Sequence, residues 1–222
     1  MPVTQRPSME LEVPYLERGE IVVGIDEVGR GALAGPITVG AVAVILPGTP
    51  PPGLDDSKRL RASVRERLVG PIYQWAAAVS TGSATAAEID AWGLRLALAV
   101  AATRAIDALS VRPTVAIVDG SYNLLRSPTD VGFGVTAPPT LTAASLRCVT
   151  VVKGDQRCCT VAAAAIVAKV ERDALMNQLH GELPQYEWSG NKGYGSPGHL
   201  AALRAHGPSS WHRVSWSLPA KV

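Results

Sequence analysis

Four carboxylates stand where apolar runs give out: Asp26 and Glu27 follow "IVVGI", Asp119 ends "VAIVD", and Asp155 ends "LRCVTVVKGD". If those runs are strands, their C-terminal ends meet along one edge of a sheet, where four anions share a small volume only when cations compensate them. Hard oxygen donors with no cysteine or histidine in the set favour Mg²⁺ or Mn²⁺ over zinc. Such ions keep open positions for phosphate oxygens and water, and two of them roughly 3.5 to 4 Å apart suit phosphodiester hydrolysis. Taken singly, "VDG" and "KGD" are ordinary turn chemistry. Asp26-Glu27 is harder to dismiss, because the pair closes an apolar strand, leads into Gly29-Arg30-Gly31 and has no evident packing purpose.

The stretch Gly29 to Ala34, "GRGALA", also satisfies a loose dinucleotide-binding fingerprint. That fingerprint needs a helix opening on the glycines, with its N-terminus facing a pyrophosphate. Here Pro36 and a β-branched run follow instead, and the next strand ends in "LPGTPPPG" without an acidic residue to hold a ribose. The nucleotide-cofactor reading is rejected on the missing helix.

The elements that must position these groups alternate. "EIVVGID" and "ITVGAVAVIL" read as neighbouring strands joined by the glycine-rich turn, and "AAAVSTGSA" as a third. "ASVRERLVG" begins a short helix that Gly70-Pro71 interrupts or ends. Thr85 and Glu88 have capping-box spacing ahead of an Ala/Leu-rich helix reaching Leu109. "TVAIVDG" and "LRCVTVVKGD" are further strands, and a long helix begins near Thr160. The class is therefore α/β. Tyr122 to Ser145 is long for a connection inside a compact domain, and from Gly181 onward the chain is rich in turns, aromatics and basic residues, with one short helix over Pro197–Ala205.

Composition narrows the function classes without choosing among them. With 222 residues, 47% of them hydrophobic, the chain buries a full core, and a net charge of +2 is too weak to announce a nucleic-acid partner. Cys148, Cys158 and Cys159 offer neither a disulfide framework nor zinc spacing. "ITVGAVAVIL" falls short of the ~20 residues that span a bilayer, and no leader pattern opens the chain, so a soluble cytoplasmic protein is expected.

With these residues assembled, the sequence resembles the type 2 ribonuclease H family of bacterial ribonucleases HII, from about Gly19 to Ser217. The resemblance is carried by "GIDEVGRGALAGP", "DDSKRL", "IVDG", "VVKGD" leading into "AAAAIVAKVERD", and "NKGYGSPGH" followed by "HRVSW", in family order. It implies a ribonuclease H-like mixed β-sheet flanked by helices, with a small C-terminal helical and loop appendage. The implied layout is an N-terminal arm over 1–18, a catalytic domain over 19–217 with an irregular insertion at about 122–145, and a tail over 218–222.

The resemblance further implies that Asp26, Glu27, Asp119 and Asp155 are catalytic and bind Mg²⁺ or Mn²⁺, as two ions in the substrate complex. The implied substrates are RNA/DNA hybrids and duplex DNA containing single ribonucleotides, cut 5′ to the ribonucleotide to leave 3′-hydroxyl and 5′-phosphate ends. Gly29, Arg30 and Gly31 would read the 2′-hydroxyl, and Tyr194 would pack against the following sugar. Lys58 would approach the phosphate backbone, although Asp56-Ser57 equally reads as a helix cap with Lys58 solvated. Lys153, Arg157 and Lys192 are weaker phosphate candidates. Lys169 and Asp173, four apart, read as a structural ion pair, and His199, His206 and His212 as loop or packing residues. No membrane and no obligate protein partner is implied, and a monomer is the default.

The chain departs from the family pattern in two places. Thirty-six positions separate Asp119 from Asp155, more than in many bacterial relatives, and "AAAAIVAKV" has alanine where relatives often carry serine. Two other readings compete: another enzyme on the same scaffold, such as a strand transferase or resolvase, and a non-catalytic nucleic-acid module. Ribonucleotide dependence separates the first, and four retained carboxylates argue against the second.

Overall fold

Val22–Val28 (β1) and Ile37–Val44 (β2) form an antiparallel pair, and Ala78–Ala84 (β3) adds antiparallel to β2. Val115–Asp119 (β4) lies parallel to β1, and Arg147–Val151 (β5) parallel to β4, giving the order β3-β2-β1-β4-β5. This computed structural model describes residues 6–125 and 142–220. The irregular insertion expected at 122–145 lies largely outside the described residues. No helix among the described residues is long and apolar enough to cross a membrane.

Helices cover both faces. Ala86–Asp107 (α3) packs on β2 and β3, and Cys159–Glu182 (α4) packs on β1 and β2 from the other side. Strand alternation sorts the side chains between them. Val23, Ile25, Val39 and Ala41 join the α3 core, whereas Val22, Val42 and Ile117 face α4 or the short N-terminal helix Val13–Leu16 (α1). Ala62–Trp75 (α2) buries Leu68 and Ile72 alongside α4. Contrary to expectation, α2 runs through Gly70-Pro71. Proline removes one bond to the carbonyl four residues back; both Pro71 and Arg67 are exposed, so water can satisfy that carbonyl.

Thr85 caps α3 as its spacing predicts: its hydroxyl accepts from the Glu88 N–H at 3.2 Å and the Glu88 carboxylate accepts from the Thr85 N–H at 2.8 Å. The cap of α4 comes from far away in the chain. Buried Glu12 accepts from the Thr160 N–H at 2.9 Å and from its hydroxyl at 3.1 Å, satisfying donors that α4 itself leaves open. The segment from Ser8 to Leu16 thereby docks on the α4 N-terminus, with Ser8 bridged to Cys158.

No helix opens on Gly29-Arg30-Gly31, in keeping with rejection of the dinucleotide reading; Ala34 bridges to His212 and β2 follows. The C-terminal region forms two short helices, Trp188–Asn191 (α5) and Pro197–His206 (α6), around a core of Met176, Tyr186, Trp188 and Leu203.

Close approach of α4 to the sheet depends on missing side chains. A β-carbon at Gly40 would lie 2.2 Å from the Ala164 carbonyl oxygen, and one at Gly24 the same distance from the Thr160 carbonyl carbon. Both contacts are with backbone, which cannot swing aside. Gly40→Ala is therefore expected to destabilise the protein by about 1–3 kcal/mol through overpacking. Urea unfolding measures this, and an unchanged midpoint would contradict the packing described.

Candidate active site

Parallel register assembles the site. Ile25 pairs with Val118, so Asp26 and Asp119 stand one step further along adjacent parallel strands. Both alternate onto the α4 face, while Glu27 falls on the α3 face. Asp155 does not end a strand as expected; β5 stops at Val151, and Asp155 sits in a 3₁₀ turn over Gly154–Gln156. That turn is tied to β4 by the Gly154 N–H, which donates to Asp119 Oδ1 at 2.6 Å. Residue 153 reaches the turn in the left-handed region, with φ 56°.

Crowding and burial dominate the electrostatics. Asp26 is only 6% exposed, and burial, then the charges of Glu27 and Asp119, push its pKa well above the ordinary aspartate value. Glu27 is raised by burial despite Arg30, whose Nη1 lies 3.5 Å from its Oε1. Burial also raises Asp155 against the opposing pull of Lys58, whose Nζ is 3.1 Å from Oδ2. The lysine in turn sits above its ordinary value: burial acts against this, and the charge and hydrogen bond of Asp155 outweigh it. With its side chain 77% exposed, Lys58 gains at most about 1 kcal/mol from this pair, little enough for a phosphate or cation to redirect it.

Asp56 is not a helix cap. It accepts from the Lys58 N–H at 2.8 Å and from Gln156 at 3.2 Å, which aims Lys58 at the Asp155 turn, while α2 begins only at Ala62.

Asp26, Glu27 and Asp119 line a cleft of about 330 Å³ together with Gly29, Arg30, Gly31, Lys58 and Tyr194. Asp155 is not among the lining residues and is linked to the cleft through Lys58. Among the described residues no three acidic, histidine or cysteine side chains close around one point as a ready-made ion cage. The donor set nonetheless fits hard divalent cations, being all oxygen, part-buried and short of positive charge. Lys169 reaches the cleft wall but pairs with Asp173 at 2.7 Å, as expected. Lys192 bonds Asn177 and Ser189, which leaves its amine committed within the chain, and Lys153 and Arg157 flank the Asp155 turn.

Two buried arginines, to which the sequence reading assigned no role, shape the opposite wall. Arg213 donates to the carbonyls of Gly29 at 2.7 Å, Arg30 at 3.0 Å and Gly35 at 3.1 Å; Arg172 donates to those of Pro36, Lys192 and Ala34. Burial, and then mutual proximity, lowers the Arg213 pKa to about 10, so it stays charged at neutral pH. In a trans peptide the N–H opposes the C=O. Because Arg213 holds the carbonyls of residues 29 and 30, the N–H groups of Arg30 and Gly31 point away from it, and neither has a partner among the described residues. Gly29 itself needs φ 87° and abuts Arg172.

The Tyr194 ring lies beside Gly31, 4.0 Å from where a β-carbon would be, and its backbone is held by a histidine relay. The Tyr194 carbonyl accepts from His199 Nδ1 at 2.9 Å; the one lone pair of His199 Nε2 is then shared between the Trp188 N–H at 3.2 Å and His212 Nε2 at 3.0 Å. His212 Nδ1 accepts from the Ser209 N–H at 2.9 Å, so one pair of neutral tautomers gives every contact a donor and an acceptor. Burial lowers both histidines, His212 to about 4. His199 and His212 are packing residues as expected, and they also orient the tyrosine. His206 is exposed at the end of α6.

Residues 23–218 match the family model described as Ribonuclease HII. The chain belongs to the ribonuclease HII family. It is 43% identical over 198 residues to Ribonuclease HII of Streptomyces avermitilis, covering 89% of this chain and 77% of that protein. It is 42% identical over 212 residues to Ribonuclease HII of Burkholderia mallei, covering 96% and 88%. The fold matches ribonuclease H2 of Pyrococcus horikoshii OT3 with TM-score 0.66 at 23% identity, over 89% of this chain and 94% of that one. It matches RNase HII in a complex with PCNA from Archaeoglobus fulgidus with TM-score 0.67 at 25% identity, over 91% and 98%. As a ribonuclease HII family member this chain is a hydrolytic nuclease, a ribonuclease H acting on RNA/DNA hybrids, on the mixed sheet that its sequence led us to expect.

Two outcomes follow from the geometry. A buried acid with a raised pKa binds a proton more tightly when folded, so its contribution to stability falls as pH rises from the ordinary value of 3.8 through the folded value. Without divalent ions at pH 7, Asp26→Asn should therefore melt above wild type, with the advantage narrowing as pH falls toward 4. Equal melting at both pH values would refute the crowding. Arg213→Lys, which cannot serve three carbonyls with one fork, should cost roughly 3 kcal/mol in urea unfolding. Wild-type stability would show that Arg213 does not hold the loop.

Proposed function

We propose that this chain cuts 5′ to single ribonucleotides embedded in duplex DNA as well as within longer hybrids, leaving 3′-hydroxyl and 5′-phosphate ends. Asp26, Glu27, Asp119 and Asp155 hold two divalent cations, Mg²⁺ or Mn²⁺. Among the structural neighbours, an RNase HIII is described in complex with Mn²⁺. Bound ions supply a water of lowered pKa and offset charge on the departing 3′-oxygen.

The observation that carries this reading is the pairing of two walls across one cleft. Asp26 and Asp119 stand side by side on one wall, and the Arg30 and Gly31 N–H groups, with the Tyr194 ring, form the other. A phosphate held at the carboxylates brings the adjoining ribose to the glycine loop. There the two N–H groups can donate to a 2′-hydroxyl, an atom that DNA lacks. Absence of a β-carbon at Gly31 allows the sugar to come close, and Tyr194 offers the next sugar an apolar face. Lys58 exchanges Asp155 for phosphate when cations neutralise the carboxylate. Such repair chemistry on chromosomal DNA fits a cytoplasmic monomer.

The decisive experiment incubates the protein with Mg²⁺ or Mn²⁺ and an end-labelled duplex carrying one ribonucleotide, beside an all-DNA duplex. Cutting is expected only in the first, 5′ to the ribonucleotide, and only with divalent ion present. Asp119→Asn should slow it by at least roughly a hundredfold, since even outer-shell changes cost 10–100-fold. Equal cutting of both duplexes, or a fully active variant, would overturn the assignment.

A further inference from the structure

A second hollow, of about 410 Å³, adjoins the site on the α3 face of the sheet. Glu27, Arg30 and Asp119 line both hollows, so the acidic sheet edge is a ridge between two lobes rather than the floor of one. The lobe described above carries the Gly29–Gly31 loop and Tyr194. The other is walled by Arg95 and Leu98 of α3 and by Tyr122 and Leu124 beyond β4.

Its far wall has the chemistry of a nucleotide site. Arg95 is exposed, and its guanidinium lies over the Tyr122 ring, 4.4 Å from the centroid. Stacking of that kind fixes the plane of the cation while leaving its N–H edges free for a phosphate. No described carboxylate lies within ion-pair distance of Arg95. Tyr122 is itself 41% exposed, so part of its ring is open to the hollow. Leu98 and Leu124 are buried beneath, giving an apolar floor. The lobe is thus acidic where it meets the ridge and cationic at its far end.

We propose that this lobe is the subsite for the nucleotide on the 5′ side of the scissile phosphate. Arg95 binds that nucleotide's own phosphate, and Tyr122 packs against its sugar or base. The inference rests on the proposed cleavage 5′ to a ribonucleotide, in which the glycine loop and Tyr194 take the sugars on the 3′ side. A strand whose scissile phosphate sits on the ridge must descend on both sides of it, and only the α3-face lobe remains for the 5′ side. Its charge gradient agrees: the repelled phosphate is kept from the carboxylates by a nucleoside's length and meets Arg95 instead.

The test measures binding in an Asp119→Asn background, so that the duplex stays intact, using two duplexes with one ribonucleotide each. In one, the ribonucleotide strand continues several nucleotides in the 5′ direction. In the other, it begins at the ribonucleotide, which carries a 5′-phosphate. Arg95→Ala should weaken binding of the first duplex roughly five- to tenfold, as for loss of one charge-assisted bond, and that of the second by less than about twofold. The slope of log affinity against log salt should fall by about 1 for the first duplex alone. Arg95→Lys should retain most of the affinity, and Tyr122→Ala should reproduce the flank dependence without the change in salt slope. With the otherwise wild-type enzyme, Arg95→Ala should raise KM and leave kcat within about twofold. Equal weakening on both duplexes, or none on either, would overturn the subsite. Should the enzyme fail to cut at the single ribonucleotide while the flank-dependent difference persists, the proposed single-ribonucleotide cleavage falls and Arg95 stands as a contact to the nucleotide 5′ to the bound ribonucleotide.

Discussion

Parallel pairing of β1 with β4 brings Asp26 and Asp119 level at one sheet edge, under a helix that excludes water from Asp26. Like charges in that setting repel at close range through a medium that screens poorly. The surrounding structure answers this with cations at the rim: Arg30 leans on Glu27 and Lys58 on Asp155, both largely exposed and both weakly held. Neither reaches Asp26 with an ion pair. The site is therefore electrostatically incomplete as a bare chain, and that incompleteness is what fits it to divalent cations.

The opposite wall obeys a different constraint. Backbone can read a hydroxyl only if its own groups are not satisfied internally, yet a loop with unsatisfied groups has little to hold its shape. Arg213 and Arg172 resolve this by taking up carbonyls alone, which leaves the Arg30 and Gly31 N–H groups without partners among the described residues. Burying two guanidiniums without carboxylate partners is costly. Bonds to six carbonyls, an aromatic neighbour at Trp216 and anchoring of the Val214 and Ser215 N–H groups by Asp90 offset that cost. The C-terminal appendage is in this sense part of the active site, although it contributes only Tyr194 to the cleft lining.

Rigidity passes between the two walls through α4. Its N-terminal half presses on Gly24, two residues before Asp26, and on Gly40, the cross-strand partner of Asp26, and its C-terminal half carries Arg172 to the loop. A helix closely seated on the sheet thus sets the distance between carboxylates and glycine loop. Glu12 and Ser8 complete the arrangement at the helix start, joining the first residues of the described chain to the machinery.

What the sequence determined by itself was whatever depends on near neighbours. Strand alternation, the Thr85–Glu88 cap, the missing helix after Gly29 and the carboxylates at strand ends are all decided within a few residues. Family motifs then supplied their company. Only the tertiary structure decided which distant groups meet. Nothing local marks Arg213 in "HRVSW" as the clamp on residues 29, 30 and 35, or pairs His199 with His212, because a buried charge finds its partners through the fold rather than through spacing. The same reason explains Pro71, tolerated because its freed carbonyl faces water, and Asp155, carried by a 3₁₀ turn rather than a strand end. It also explains Arg95 and Tyr122, unremarkable in sequence until opposite sides of one sheet edge place them across a ridge from the glycine loop.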